Sequence, residues 1–254
     1  MPSESPTIVA IDTATDVCSV AVLRGGQLTE LNETVGHRHS ERVLPMVDEA
    51  LAKAGVSLIE VDVFAFGAGP GSFTGLRIAC GVAQGLAYGK RKRVVAVGNL
   101  RALAANAFAA NTSGDLLLAA IDARMNESYC AIYRRQHLTE IRAPTLELPQ
   151  SLAPLADTEN VGIVAGNALT AFSAVWPSER SWISLPDAKA SAAAIATLAR
   201  LDAGRGLTIA PEQAAPIYVR DHVALTIDER RGAVASRDRL EERAVSSAAG
   251  GGQH

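Results

Sequence analysis

The chain has 254 residues, 48% of them hydrophobic and 20% charged, with 27 acidic against 24 basic side chains and a formal charge of -3. That composition supports a buried core in one large domain or two small ones, without disulfide staples. It argues against a protein that grips nucleic acid over a broad basic face, so any such role would be local or shared with a partner.

The polar start, Met-Pro-Ser-Glu-Ser-Pro-Thr, has no basic or apolar export signature, and no apolar run nears the ~18 residues of a membrane span. Cys18, Cys80 and Cys130 lack CxxC spacing, so neither a disulfide framework nor a zinc ribbon is read. A cytoplasmic protein is expected.

Strands are expected at Ile8 to Ile11, Val17 to Leu23 and Leu28 to Val35, the last two joined at Gly25-Gly26. A helix capped by Ser40 should follow, with Val43, Leu44, Val47, Ala50, Leu51 and Ala54 on one face and Gly55 as its stop; Pro45 falls near its first turn. The run Val61 to Phe66 reads as a buried strand. It leads through a turn containing Gly69, Gly71, Ser72 and Gly75 into a helix from about Phe73 to Tyr88. A strand at Val94 to Val97 and an alanine-rich helix through Asn106 close a first α/β unit. The second begins at Leu116, continues through Glu127 to Arg134 and a strand at Val161 to Ala165, and has a helix from about Ala188 to Leu201.

An internal repeat underlies this division. Ile8 to Arg24 lies without a gap on Leu118 to Arg134, at a constant offset of 110 that sets Asp12 on Asp122. Both copies are an apolar strand ending in Ile-Asp, a polar turn and an alternating strand ending in Arg, so a duplicated fold is expected. The expected organisation is a first lobe over 1–106, a second over 107–215, a segment over 216–227 that returns to the first lobe, and a disordered tail over 228–254.

Asp12 and Asp122 could flank a cleft and hold hydrated Mg²⁺, with Thr13 and Thr15 meeting phosphate oxygens, or each could simply cap its own turn. The second turn lacks glycine, which favours a degenerate site. The Gly69 to Gly75 turn is not a Walker loop, because Leu76 and Arg77 follow Gly75; it reads as a structural turn with Ser72 as helix cap. The following helix carries Gly81, Gly85 and Gly89 at every fourth position, which would let another helix approach closely. Leu44, Val47 and Leu51 with Ile78, Gly81, Val82 and Gly85 are therefore the candidate partner interface. His37 and His39 lack the spacing of a helical metal pair, and no metal site is expected. Lys90-Arg91-Lys92-Arg93 reads as a solvated basic loop or a contact to phosphates of an RNA held mainly by a partner.

Ile11 to Thr15, His39 to Met46, Gly69 to Gly75 with Arg77, Ala120 to Arg124 and Pro216 to Arg220 together resemble the bacterial TsaB (YeaZ) family, from about Ile8 to Leu225. The resemblance implies an α/β, duplicated, two-lobed actin-like and Hsp70-like ATPase (ASKHA) fold with a degenerate active site. It implies a non-catalytic subunit that pairs with the catalytic subunit TsaD and the ATPase TsaE. That complex transfers threonylcarbamoyl to adenosine of tRNA, with ATP and Mg used at the complex level and no cofactor of the chain's own. Homodimers through the same helix patch are a further implication. The helical histidine pair of the catalytic relative is missing from Val97 to Ala102, and Asn126 stands where glycine is expected. The alternatives are an autonomous ATP-dependent kinase or ATPase built on Asp12 and Asp122, or a glycoprotease-type peptidase, for which no catalytic residues can be named.

Overall fold

The computed structural model describes residues 5–177 and 179–220. Met1–Val219 forms one compact unit, separate from Arg220–His254, and it is the first of these that follows. The expected tail over 228–254, and the 216–227 segment beyond residue 220, lie outside the described residues.

Apolar β1 (Ile8–Asp12) is buried along its length and pairs antiparallel with β2 (Val17–Arg24), which pairs with β3 (Gln27–Thr34). β3 is an edge strand carrying Glu30 and Glu33, charges that discourage further pairing. The next helix, α1 (His39–Ala54), starts one residue before the expected cap: Arg38 holds the N-cap position without a side-chain bond, and Ser40 lies in the first turn. β4 (Val63–Gly69) adds parallel to β1, and α2 (Phe73–Lys90) crosses back to β5 (Arg93–Gly98), parallel to β4. Then follows α3 (Asn99–Ala110), four residues longer than read.

The second half comprises β6 (Leu116–Arg124), β7 (Glu127–Arg134), β8 (Thr139–Glu147), α4 (Pro149–Thr158), β9 (Ile163–Ala165), the single turn α5 (Ala168–Ala171), β10 (Ile183–Leu185) and α6 (Ala192–Gly204). The sheets run β3-β2-β1-β4-β5 and β8-β7-β6-β9-β10. Each has an antiparallel three-stranded meander followed by parallel strands, the duplicated plan of a two-lobed actin-like fold. Among the described residues no helix is long and apolar enough to cross a membrane.

The duplication is real, but its gapless alignment is corrected by the register. Asp12 faces Ser19 in the first hairpin, whereas Asp122 faces Ser128 in the second, whose connection is one residue shorter and bulged between Asp122 and Arg124. Val9 and Ile11 face the core shared with α1 and α2; Leu118 and Ala120 face the core with α4 and α5. Matched by face, Ile121 is the counterpart of Asp12, and Asp122 stands one residue further on. In a structure of period two, that single step turns it to the opposite face.

The helices on the other faces are exchanged in chain order. α3 covers the second sheet with Leu100, Leu103, Ala104 and Phe108 against Leu117, Ala119 and Tyr133. α6 covers the first, its Ala192, Ile195, Ala196 and Ala199 lying on Ala10, Ala21 and Ala65. Alanine on both sides brings helix and sheet close together. α6 starts at Ala192, not near 188, because its cap is assembled from three elements. Ser191 Oγ accepts from the Ala194 amide (3.3 Å), Ser19 Oγ of β2 from Ala192 (3.0 Å), and the Glu30 carboxylate of β3 from Ala193 (2.8 Å).

Candidate functional site

The end of β1 delivers Asp12 into the interior, where the carboxylate is 3% exposed. Its Oδ1 accepts from the Asn99 side-chain amide at 2.9 Å and from the Ala14 backbone amide at 3.2 Å. Asn99 opens α3, and its Oδ1 accepts in turn from the Gly69 amide at 2.7 Å. Burial pushes the Asp12 carboxyl above its ordinary range, opposed by the Asn99 bond, the Ala14 amide, the positive charge available at His39 and the Thr13 amide.

The glycine-rich turn closes over this network. A Cβ at Gly67 would strike Asp12 Oδ1 and crowd Asn99, and one at Gly75 would overlap the Thr13 carbonyl. The Ser72 amide donates to the Ala14 carbonyl at 2.9 Å and the Thr13 hydroxyl to the Gly75 carbonyl at 2.6 Å. Ser72 caps α2, and the Ile217 amide donates to Ala68 at 2.7 Å, setting the chain beside Gly69. Outside it, Arg77 lies 4.0 Å over the Phe73 ring and donates to the Tyr218 hydroxyl at 3.1 Å.

Asp12, Thr13, Gly69, Gly71, Ser72 and Gly75 are thus brought together, but in contact with one another. These residues do not fit a metal-bound triphosphate. The Thr13 hydroxyl is engaged by backbone, and the Asp12 carboxylate is enclosed by Asn99 and Gly67 in surroundings that disfavour its charge. Thr15 is exposed and serves its own turn, accepting from the Val17 amide at 3.1 Å. Asp122 belongs to the other sheet: its Oδ1 accepts from the Arg124 amide at 2.8 Å, and its Oδ2 lies 3.5 Å from the Arg124 guanidinium. It caps its own turn. Asn126 takes a left-handed φ of 59°, which asparagine tolerates where glycine would otherwise serve.

His39 is buried at the start of α1 with Nε2 unpartnered, while His37 is exposed. Among the described residues no group of three or more His, Cys, Asp or Glu side chains could hold a metal. Sequence reasoning does not find Asn99 and Gly67 as neighbours of Asp12, nor Ile217 beside Gly69; the signal for Asn99 is a lone amide in the stretch Val97 to Ala102.

The nominated interface residues divide in two. Val47 and Leu51 are buried in the core beneath α1 and present nothing outward. Leu44 is 48% exposed, Ile78 and Val82 are half-buried, and Gly81 and Gly85 are exposed with nothing within 4 Å of an added Cβ.

A family model described as TsaD, tRNA N6-adenosine threonylcarbamoyltransferase, matches residues 31–168. The tRNA threonylcarbamoyladenosine biosynthesis protein TsaB of Escherichia coli is 37% identical over 224 residues, covering 85% of this chain and 96% of that protein. The protein of the same description from Haemophilus influenzae is 50% identical over 123 residues, which is 48% of this chain and 52% of the relative. Among solved structures, YeaZ from Pseudomonas aeruginosa is 36% identical with a TM-score of 0.76, covering 84% of this chain and 99% of that one.

Proposed function

Because the chain belongs to the TsaB (YeaZ) family, we propose that it takes part in the biosynthesis of threonylcarbamoyladenosine in tRNA, as a subunit that completes a TsaD-type catalytic partner and does not carry the chemistry itself. A TsaE-type ATPase would act alongside, with ATP and Mg consumed at the level of the complex. The observation that carries this reading is the open face of α2. Gly81, Gly85 and Gly89 each cost about 1 kcal/mol relative to alanine in a helix interior, and among the described residues nothing lies within 4 Å of a Cβ added at any of them. Close approach of a partner's helix would offset that cost, and Leu44, exposed on α1, offers a further apolar contact. The enclosed environment of Asp12 supports the non-catalytic part.

The test is tRNA threonylcarbamoylation in a mixture of TsaC, TsaD, TsaE, ATP, threonine and bicarbonate, with and without this protein. Modification should require it, and Leu44→Arg or Gly85→Arg should abolish both the requirement-satisfying activity and co-elution with TsaD while the fold persists by circular dichroism. Modification that proceeds equally without the chain refutes the proposal.

A further inference from the structure

At the far end of the first sheet from Asp12, the last turn of α2, the start of β5 and the 3₁₀ turn Pro211–Gln213 border an open cavity of about 480 Å³, lined by Tyr88, Arg91, Lys92, Arg93, Pro211 and Glu212. That volume is in the range of small-ligand sites. Two of its cations are committed to the fold. Arg93 donates to the Thr208 hydroxyl at 3.2 Å and carbonyl at 2.9 Å, and Lys92 lies 3.6 Å from Asp62. Arg91 and the adjoining Lys90 are exposed, and among the described residues their side chains have no hydrogen-bond or ion-pair partner. The Tyr88 ring is 64% exposed at the same rim.

We propose that this cavity is an RNA-contact site, at which Lys90 and Arg91 meet backbone phosphates and an unpaired base stacks on Tyr88. Uncommitted cations beside an aromatic platform are what unstacked nucleic acid needs, phosphates holding the strand and the ring accepting any base face. Glu212 separates this reading from a plain anion site. A carboxylate in the lining repels a bare polyanion, but accepts hydrogen bonds from the exocyclic amine of a base. The acidic net charge of the whole chain confines such binding to this patch, so it is a subsidiary contact whose main hold lies elsewhere. Taking tRNA as the RNA rests on the proposed function; the chemistry of the cavity does not.

The experiment is fluorescence anisotropy of labelled, unmodified tRNA with the full-length protein at several salt concentrations, with inorganic polyphosphate as competitor. Lys90→Gln combined with Arg91→Asn, which keeps a residue tolerant of the left-handed cap at position 91, should weaken binding and lower the slope of log K against log salt by about 1.5. Tyr88→Ala should weaken it about tenfold with the slope unchanged, and Tyr88→Phe should restore it. Glu212→Gln should weaken tRNA binding about threefold while tightening that of polyphosphate, opposite signs that misfolding cannot imitate. The proposal is overturned if the wild type shows no salt-dependent binding, if these variants bind as it does, or if polyphosphate competes equally and Tyr88→Ala has no effect. Threonylcarbamoylation by the same preparations keeps the two readings apart. Full modification without RNA binding at this patch removes only the contact site, and binding without support of modification removes only the proposed function.

Discussion

Replacing Asp202 with alanine strands a guanidinium. Asp202 on α6 receives two bonds from Arg101 on α3, at 2.6 and 3.0 Å, and its side chain is 7% exposed against 21% for Arg101. Breaking one side of a buried ion pair costs about 3 to 5 kcal/mol, because the surviving charge keeps its desolvation penalty and loses its partner. Arg101 retains some contact with water, so the lower end, about 3 kcal/mol, is expected. For a unit of this size that is roughly 6 to 12 °C in Tm. Replacing both residues, Arg101→Met with Asp202→Leu, should recover most of the loss, since well-packed apolar groups bear no such penalty. Urea denaturation of wild type, both singles and the double, analysed as a cycle at constant m-value, measures this directly. A loss below about 1 kcal/mol for Asp202→Ala, or a double variant no better than the single, would refute the argument.

Two further outcomes follow from the Asp12 network. Gly67→Ala should cost about 2 to 3 kcal/mol by driving a methyl group into Asp12 and Asn99, whereas Gly81→Ala on the open face should stabilise the free chain by about 1 kcal/mol; equal thermal shifts for the two would contradict the assigned environments. A buried carboxyl held above its ordinary value of 3.8 keeps its proton longer in the folded chain. Its contribution is therefore most favourable below that pH and declines as pH rises through the folded value. Asp12→Asn keeps an acceptor for Asn99 and should flatten this decline in urea midpoints taken from pH 4 to 7; a variant losing stability relative to wild type as pH rises would show that burial does not dominate.

Much of the first lobe was legible because its signals are local. Gly25-Gly26 between β-rich runs marks a hairpin, and the apolar spacing from Val43 to Leu51 marks a helix wherever the rest of the chain goes. Periodicity places Val47 and Leu51 on the apolar face of α1 but does not show that this face packs on β2, β3 and α2, so core residues carry the same signal as an interface. The slip in the repeat has a related origin. Five identities fit a constant offset, and a one-residue difference in turn length is invisible until the ladder pairs Asp12 with Ser19 and Asp122 with Ser128. The start of α6 is not legible in the sequence because two of its three capping groups, Ser19 and Glu30, lie more than 160 residues upstream. Asn99, recruited from the next helix, escaped for the same reason.

The exchange of α3 and α6 bears on how the molecule is made. A ribosome delivers β1, β2 and β4 early, yet the alanine face that seals them arrives only with residues 192 to 204, when most of the polypeptide has already emerged. Until then Ala10, Ala21 and Ala65 are uncovered, whereas α3 waits only for β6, β7 and β9, which are complete by residue 165. The first lobe therefore cannot finish as an independent cotranslational unit. Contacts of such long sequence separation slow folding and prolong the exposure of unsealed sheet. Fragments cut between the lobes should aggregate, while the two halves synthesised together should rescue each other by supplying the missing helix in trans.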